Sequence, residues 1–133
     1  MKVRSGIDTV HIPRIEQILT RESTLFLDRC FTKAEREYAD SHKSERRINE
    51  VYAGRFAAKE AVSKAIGTGI LTEGIALSDI EITADDHGAP VLTLHGEALK
   101  KAEDLKVISS SVSITHEKDY ATAICVLLTD EEV

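Results

Sequence analysis

The stretch RFAAKEAVSKAIGTG, from Arg55 to Gly69, is alanine-rich and strongly helical in composition, and it carries Lys59, Glu60 and Lys64. Glu60 and Lys64 stand one helical turn apart on a shared face, with Arg55 a little over a turn before them. Gly67 supplies the left-handed residue that stops a helix at low cost. A carboxylate between cations, on an element whose other faces are apolar, reads either as a surface ion pair or as part of a site for a phosphate and a metal. Spacing alone leaves both readings open.

Working back from this stretch, Ile48, Val51, Tyr52, Phe56, Ala57 and Ala61 or Val62 keep helical spacing toward Ile66, which predicts one long central helix over about Glu45 to Ile66. His42 to Arg47 is charged and reads as a turn. Thr32 with Glu35 three residues on is a capping-box signature for a helix ending near Ser41, and Phe26 to Phe31 is an apolar patch before it. Pro13 suits the first turn of a helix over Ile12 to Thr20, with Ile12, Ile15, Ile18 and Leu19 as its apolar stripe and Arg14 exposed. Lys2 to Asp8 predicts a first strand. Asp8, just before that helix, is placed to cap it or to sit near the positive end of its dipole.

Working forward, Gly67, Gly69 and Gly74 mark a change of pattern. Leu77 to Thr83 and Pro90 to Leu94 predict two strands joined across Ala84 to Gly88, and Gly96 to Leu105 predicts a short helix. Ile108, Ser110, Val112 and Ile114 alternate with Ser109, Ser111, Ser113 and Thr115, the period of a half-buried strand. Tyr120 to Leu128 reads as a more deeply buried strand paired with it. The fold class is α+β, an antiparallel sheet packed against a long central helix, in one domain over residues 1–133.

No apolar run approaches the roughly 18 residues of a membrane span, and no signal-peptide pattern stands at the start, so a soluble cytoplasmic protein without a membrane partner is expected. Cys30 and Cys125 fit no zinc or CxxC spacing and are expected as buried thiols. The net charge of −6 argues against a general nucleic-acid binder. That total hides an asymmetry: residues 1–66 hold 13 Lys and Arg against 10 acids, a net of +3, whereas residues 67–133 hold 4 against 13, a net of −9. The basic half either presents a patch to an acidic partner or forms ordinary solvated faces.

Gly67-Thr68-Gly69 follows a helix, where a phosphate-cradling glycine loop of the common kind would precede one, and no Gly-Lys-Ser/Thr comes after it. The five histidines show no paired metal spacing. His116 lies at the end of a strand, where a histidine is a turn residue or a catalyst.

Gly6-Ile7-Asp8, Phe31-Thr32 with Glu35, RFAAKEAVSKAIGTG, Asp79-Ile80-Glu81, Gly88-Ala89-Pro90 and Ser113-Ile114-Thr115-His116 stand in an order and spacing that resembles the holo-acyl-carrier-protein synthases, small phosphopantetheinyl transferases. The resemblance covers essentially the whole chain. It implies Mg²⁺-dependent transfer of phosphopantetheine from coenzyme A to a serine of an apo acyl carrier protein, with release of adenosine bisphosphate, and leaves open whether the carrier serves fatty-acid or polyketide synthesis. A non-catalytic module of the same fold, binding the carrier or coenzyme A alone, is the alternative.

Under this resemblance Asp8 and Glu60 hold Mg²⁺, Glu60 and Lys64 are catalytic, and Lys64 lies near the transferring phosphate. Arg55, Lys64, Gly67, Pro90 and His116 contact coenzyme A, and Arg14 and Arg21 bind the acidic carrier. The proton acceptor is Glu60 or a metal-bound water, and Lys59 has no role beyond a nearby positive charge. The resemblance also implies a homotrimer with active sites between subunits. One departure is Arg4, two residues before Gly6, where the family often has glycine; it either crowds the strand or adds a cation.

Overall fold

The computed structural model describes residues 1–67 and 75–131; Thr68, Gly69 and Gly74 of the glycine-marked segment lie outside them. Strand β1 (Lys2–His11) leads directly into helix α1 (Ile12–Cys30), followed by α2 (Lys33–Asp40) and the long α3 (Glu45–Ile66). A 3-10 turn (Leu77–Asp79) precedes the hairpin β2 (Ile80–Ala84) and β3 (Pro90–Leu94). Helix α4 (Gly96–Asp104) and the antiparallel pair β4 (Val107–Glu117) and β5 (Tyr120–Thr129) complete the order. Strands β1, β5 and β4 form one antiparallel sheet in that spatial order, so β1 is an edge strand, and β2–β3 forms a separate two-stranded sheet.

Helix α3 forms where the alanine-rich stretch predicts it. Ser44 caps its start by accepting the Arg47 N–H at 3.1 Å, and Gly67 ends it at φ +87°, donating its N–H to the carbonyls of Ser63 and Lys64. Ala53, Ala57, Ala58, Ala61 and Ala65 are all buried, and their short side chains let the inner face of the three-stranded sheet lie close. The alternation of β5 sends Ala121, Ala123, Cys125 and Leu127 to that inner face, and β1 sends Gly6, Asp8 and Val10. Both cysteines are free and buried as expected, and burial pushes each thiol up to about 11. Among the described residues no helix is long and apolar enough to cross a membrane.

Four sequence expectations shift. The strand expected from Leu77 begins at Ile80, because Leu77–Asp79 closes a 3-10 turn in which Asp79 accepts from the Ala76 N–H. Helix α1 does not stop at Thr20 but runs to Cys30, because Phe26 and Cys30 extend the stripe of Ile15 and Leu19 at helical spacing. Phe26 packs near Phe31 and Phe56, with ring centroids 5.7 and 5.8 Å apart. Strand β1 continues past Asp8 to His11, so His11, not Asp8, occupies the N-cap position of α1, and it makes no side-chain capping bond. In β4 a register shift between Val107 and Ser109 turns Ile108 outward, which breaks the alternation that would bury it beside Val112 and Ile114.

The capping box at Thr32 and Glu35 forms, but Glu35 does more than cap. Its Oε1 accepts from the Thr32 N–H and from the Lys59 ammonium, both at 2.8 Å, while its Oε2 accepts from the Ile82 N–H. Lys59 also donates to the carbonyls of Leu77 and Ile80. Both side chains have 0% exposure, so this satisfied ion pair fastens α3 to α2, to the 3-10 turn and to β2. Arg4, for its part, does not crowd the strand. It pairs with Glu131 at 2.7 Å and lies against Gly67.

Candidate active site

Gly6 decides where the site lies. A Cβ at this position would meet the Ala61 carbonyl oxygen at 2.0 Å and the Ala65 nitrogen at 2.7 Å, so glycine lets β1 rest directly on the backbone of α3. Asp8, the next inward-facing residue of the strand, is thereby carried to the level of Glu60 and Lys64. Lys64 does not reach for Glu60, one turn away on its own helix. Its ammonium donates to Asp8 Oδ1 at 3.1 Å and to the Ile7 carbonyl at 2.9 Å.

The charge of Asp8 is felt at Glu60. Burial raises the Glu60 carboxyl above the ordinary glutamate value, the negative charge of Asp8 raises it further, and Lys64 offsets part of this. Two carboxylates that repel one another in a half-buried setting are an arrangement that a divalent cation relieves. Among the described residues no third histidine, cysteine or acid joins them, which suits a hard ion completed by water and phosphate oxygens.

Asp8 and Glu60 open into a cleft of 520 Å³ between the end of β1, the first turns of α1 and the middle of α3. Arg14 lines its mouth, and Ile15, Ile18 and Phe56 give it an apolar wall. At the other rim His11 leans on Tyr120, its partner in the strand register, with ring centroids 5.2 Å apart. Arg21 is exposed two turns beyond Arg14 on the same face of α1, beside a shallow groove with Pro13, Glu16 and Gln17.

The remaining residues of the sequence reading lie elsewhere. Arg55 is buried on another face of α3, where its guanidinium stacks over Tyr38 at 4.7 Å and Nη2 donates to the Thr83 carbonyl at 3.5 Å. Its Nε has no hydrogen-bond partner, and desolvation by burial is the main influence lowering its proton affinity. Pro90 pairs with Ala84, the residue after Thr83, at the loop end of the hairpin, next to the carbonyl that Arg55 reaches. His116 Nε2 lies 2.9 Å from the Glu50 carbonyl, which accepts a hydrogen bond from it. Gly54 makes room for that ring, since a Cβ there would come within 3.0 Å of it. Glu50 and Glu60 are about 15 Å apart along the helix axis, so one chain does not bring His116 to Asp8 and Glu60.

Sequence reasoning missed the apolar wall at Ile18 and Phe56, the His11–Tyr120 rim and the buried partnership of Lys59 with Glu35. For Lys59 there was a signal: a charged residue within an otherwise small and apolar run needs a partner, and Glu35 was the acid already tied to a defined turn. The rim had none, because pairing across β1 and β5 joins residues 109 positions apart.

Comparison with known proteins identifies the family. The pattern of the 4′-phosphopantetheinyl transferase superfamily matches residues 4–125. The chain is 47% identical over 122 residues to a holo-(acyl-carrier-protein) synthase of Solidesulfovibrio magneticus, a match spanning 92% of this chain and 94% of that one. Its backbone is similar to the ACPS–CoA complex of Chronobacterium ammoniagenes, with a TM-score of 0.84 at 34% identity over 98% of this chain and 100% of that one. It is also similar to a holo-(acyl-carrier-protein) synthase of Bacillus anthracis in complex with CoA (3′,5′-ADP), with a TM-score of 0.76 at 38% identity over 96% of each chain. Matched nearly end to end in sequence and in backbone, the chain belongs to the 4′-phosphopantetheinyl transferase superfamily, among the holo-(acyl-carrier-protein) synthases.

Proposed function

We infer that this chain transfers phosphopantetheine from coenzyme A to a serine hydroxyl of an apo acyl carrier protein. The observation that carries this reading is the meeting of Asp8 and Glu60 at one cleft, with Lys64 paired to Asp8, in a chain whose relatives include synthases in complex with CoA. In the reaction the serine oxygen bonds to the phosphorus next to the pantetheine arm. The bond from that phosphorus to the bridging oxygen of the pyrophosphate breaks, and adenosine bisphosphate leaves with the electron pair.

Asp8 and Glu60 would hold Mg²⁺, which would supply positive charge to the phosphates. Lys64, beside Asp8, supplies a compact cation for the same phosphates. The serine proton passes to Glu60 or to a metal-bound water, and a carboxylate held on Mg²⁺ is the poorer base of the two. Arg55, with an unpartnered Nε, together with Pro90, Gly67 and His116 forms the coenzyme A contacts in this reading. Arg14 at the cleft and Arg21 two turns further along the same face of α1 present positive charge to an acidic carrier.

We also assign a homotrimer with sites between subunits. Two observations support it. The outer face of the three-stranded sheet leaves Val3, Ile7, Ile108, Tyr120, Ile124 and Val126 exposed, an apolar surface of the kind that subunits cover. The separation of His116 from Asp8 and Glu60 within one chain is what a site assembled across a subunit boundary requires. The buried free thiols suit a reducing cytoplasm. Intact-mass measurement of an apo carrier protein incubated with the chain, coenzyme A and Mg²⁺ tests the transfer.

A further inference from the structure

Lys64 spends its ammonium on the residue that the proposed reading gives to the metal. It holds Asp8 Oδ1 at 3.1 Å and the Ile7 carbonyl at 2.9 Å, and both contacts come from β1, 56 or more residues away in sequence. Asp8 lines the cleft and the pair is partly open to solvent: the Lys64 side chain is 54% exposed and that of Asp8 19%. A pair this open to water is weak and exchangeable. It is also incomplete, since one unit of positive charge faces two carboxylates, Asp8 and Glu60.

We propose that Lys64 is the built-in counter-ion of this site, holding Asp8 in the metal-free chain and surrendering it when a divalent cation enters the space between Asp8 and Glu60. The inference rests on the assignment of Asp8 and Glu60 as metal ligands. A divalent cation neutralises both carboxylates where the ammonium neutralises one, so it displaces the ammonium, but its affinity is reduced by the pair it must break. Displacement frees the ammonium beside the site, where phosphate oxygens need it. Lys64 therefore serves in sequence: first as a stand-in for the metal, then as the phosphate contact. The stand-in relieves the repulsion between the two carboxylates while no metal is bound.

The test is Mn²⁺ binding by water-proton relaxation, without coenzyme A or carrier, at constant ionic strength, on the full chain and its variants. Lys64→Met is expected to bind Mn²⁺ about two- to fivefold tighter than the parent, the range set by losing a partly exposed ion pair. Lys64→Arg, which keeps the cation, should stay near the parent. Arg14→Met removes a charge from the same cleft without touching the Asp8 pair, so its effect should be smaller than that of Lys64→Met. If Lys64→Met binds no tighter, or Arg14→Met strengthens binding as much, the counter-ion role is overturned. The metal assignment then still stands provided that Asp8→Asn abolishes binding. If the parent, Lys64→Met and Asp8→Asn all fail to bind Mn²⁺, the metal assignment falls and the inference with it. A second readout needs no variant: the side-chain ¹⁵N resonance of Lys64 should move when Mg²⁺ is added, and an unmoved resonance at saturating Mg²⁺ overturns the proposal.

Discussion

The Lys64 ammonium lies 3.1 Å from the Asp8 carboxylate, across 56 residues of chain, while Glu60 stands one turn away on the same helix without receiving it. The carboxylate of Glu60 is left to face Asp8. Burial and that neighbouring charge together hold its proton more tightly than usual.

A pH dependence follows from Glu60. Its folded pKa is raised, so between the unfolded and folded values the native chain binds the additional proton, and stability falls as pH rises through that window. Denaturant melts of the metal-free chain across acidic to neutral pH should show this loss, and Glu60→Gln should remove that part of the slope and be the more stable form at neutral pH. Identical slopes in the two proteins would contradict the coupling of Glu60 to burial and Asp8.

Gly6→Ala should damage both fold and site. The new methyl meets helix backbone at Ala61 and Ala65, which cannot rotate away, so β1 must lift from α3 and carry Asp8 off Lys64. The expected cost is about 3 kcal/mol, the upper end for overpacking, with transfer activity lost at temperatures where the variant is still folded. Urea melts alongside turnover read both, and parent-like values in either would show that the close approach is not needed.

Lys59 tests the anchoring of α3. Lys59→Met leaves the fully buried Glu35 carboxylate without its cation and should cost about 3–5 kcal/mol. Lys59→Met combined with Glu35→Gln should cost less than the sum of the single changes, because the two residues act as one unit. Simple additivity in urea melts would place the stabilisation elsewhere.

The apolar sheet face is tested by Ile124→Lys. Light scattering should find three chains per particle for the parent and one for the variant, with the secondary structure unchanged. A parent that runs as a single chain at micromolar concentration would remove the subunit-boundary reading of His116.

The sequence carried the fold well where one periodicity ruled a segment. Helix α3, the capping box at Thr32, strand β3 and the β4–β5 pair all lie where spacing predicts them, whereas the strand predicted from Leu77 begins only at Ile80. It failed where a pattern was thin: after Leu19 the next residues of the α1 stripe are Phe26 and Cys30, two and three turns on, so the second half of the helix looked like a separate patch. It also failed at Ile108, because a bulge shifts alternation without leaving a residue type behind. For the site, Glu60 and Lys64 were visible as a helical pair, but their different fates were not. Nothing local says that Gly6 brings a distant strand onto the helix, and that approach gives Lys64 its carboxylate. Tertiary contact decided what helical spacing left open.

The most direct test of the central claim is the intact mass of an apo acyl carrier protein after incubation with the purified chain, coenzyme A and Mg²⁺. The carrier should gain one phosphopantetheine, and Asp8→Asn and Glu60→Gln, folded by circular dichroism, should each reduce the rate by about a hundredfold or more, the scale of losing transition-state charge stabilisation. A carrier that a control synthase modifies but this chain leaves at its apo mass would contradict the claim.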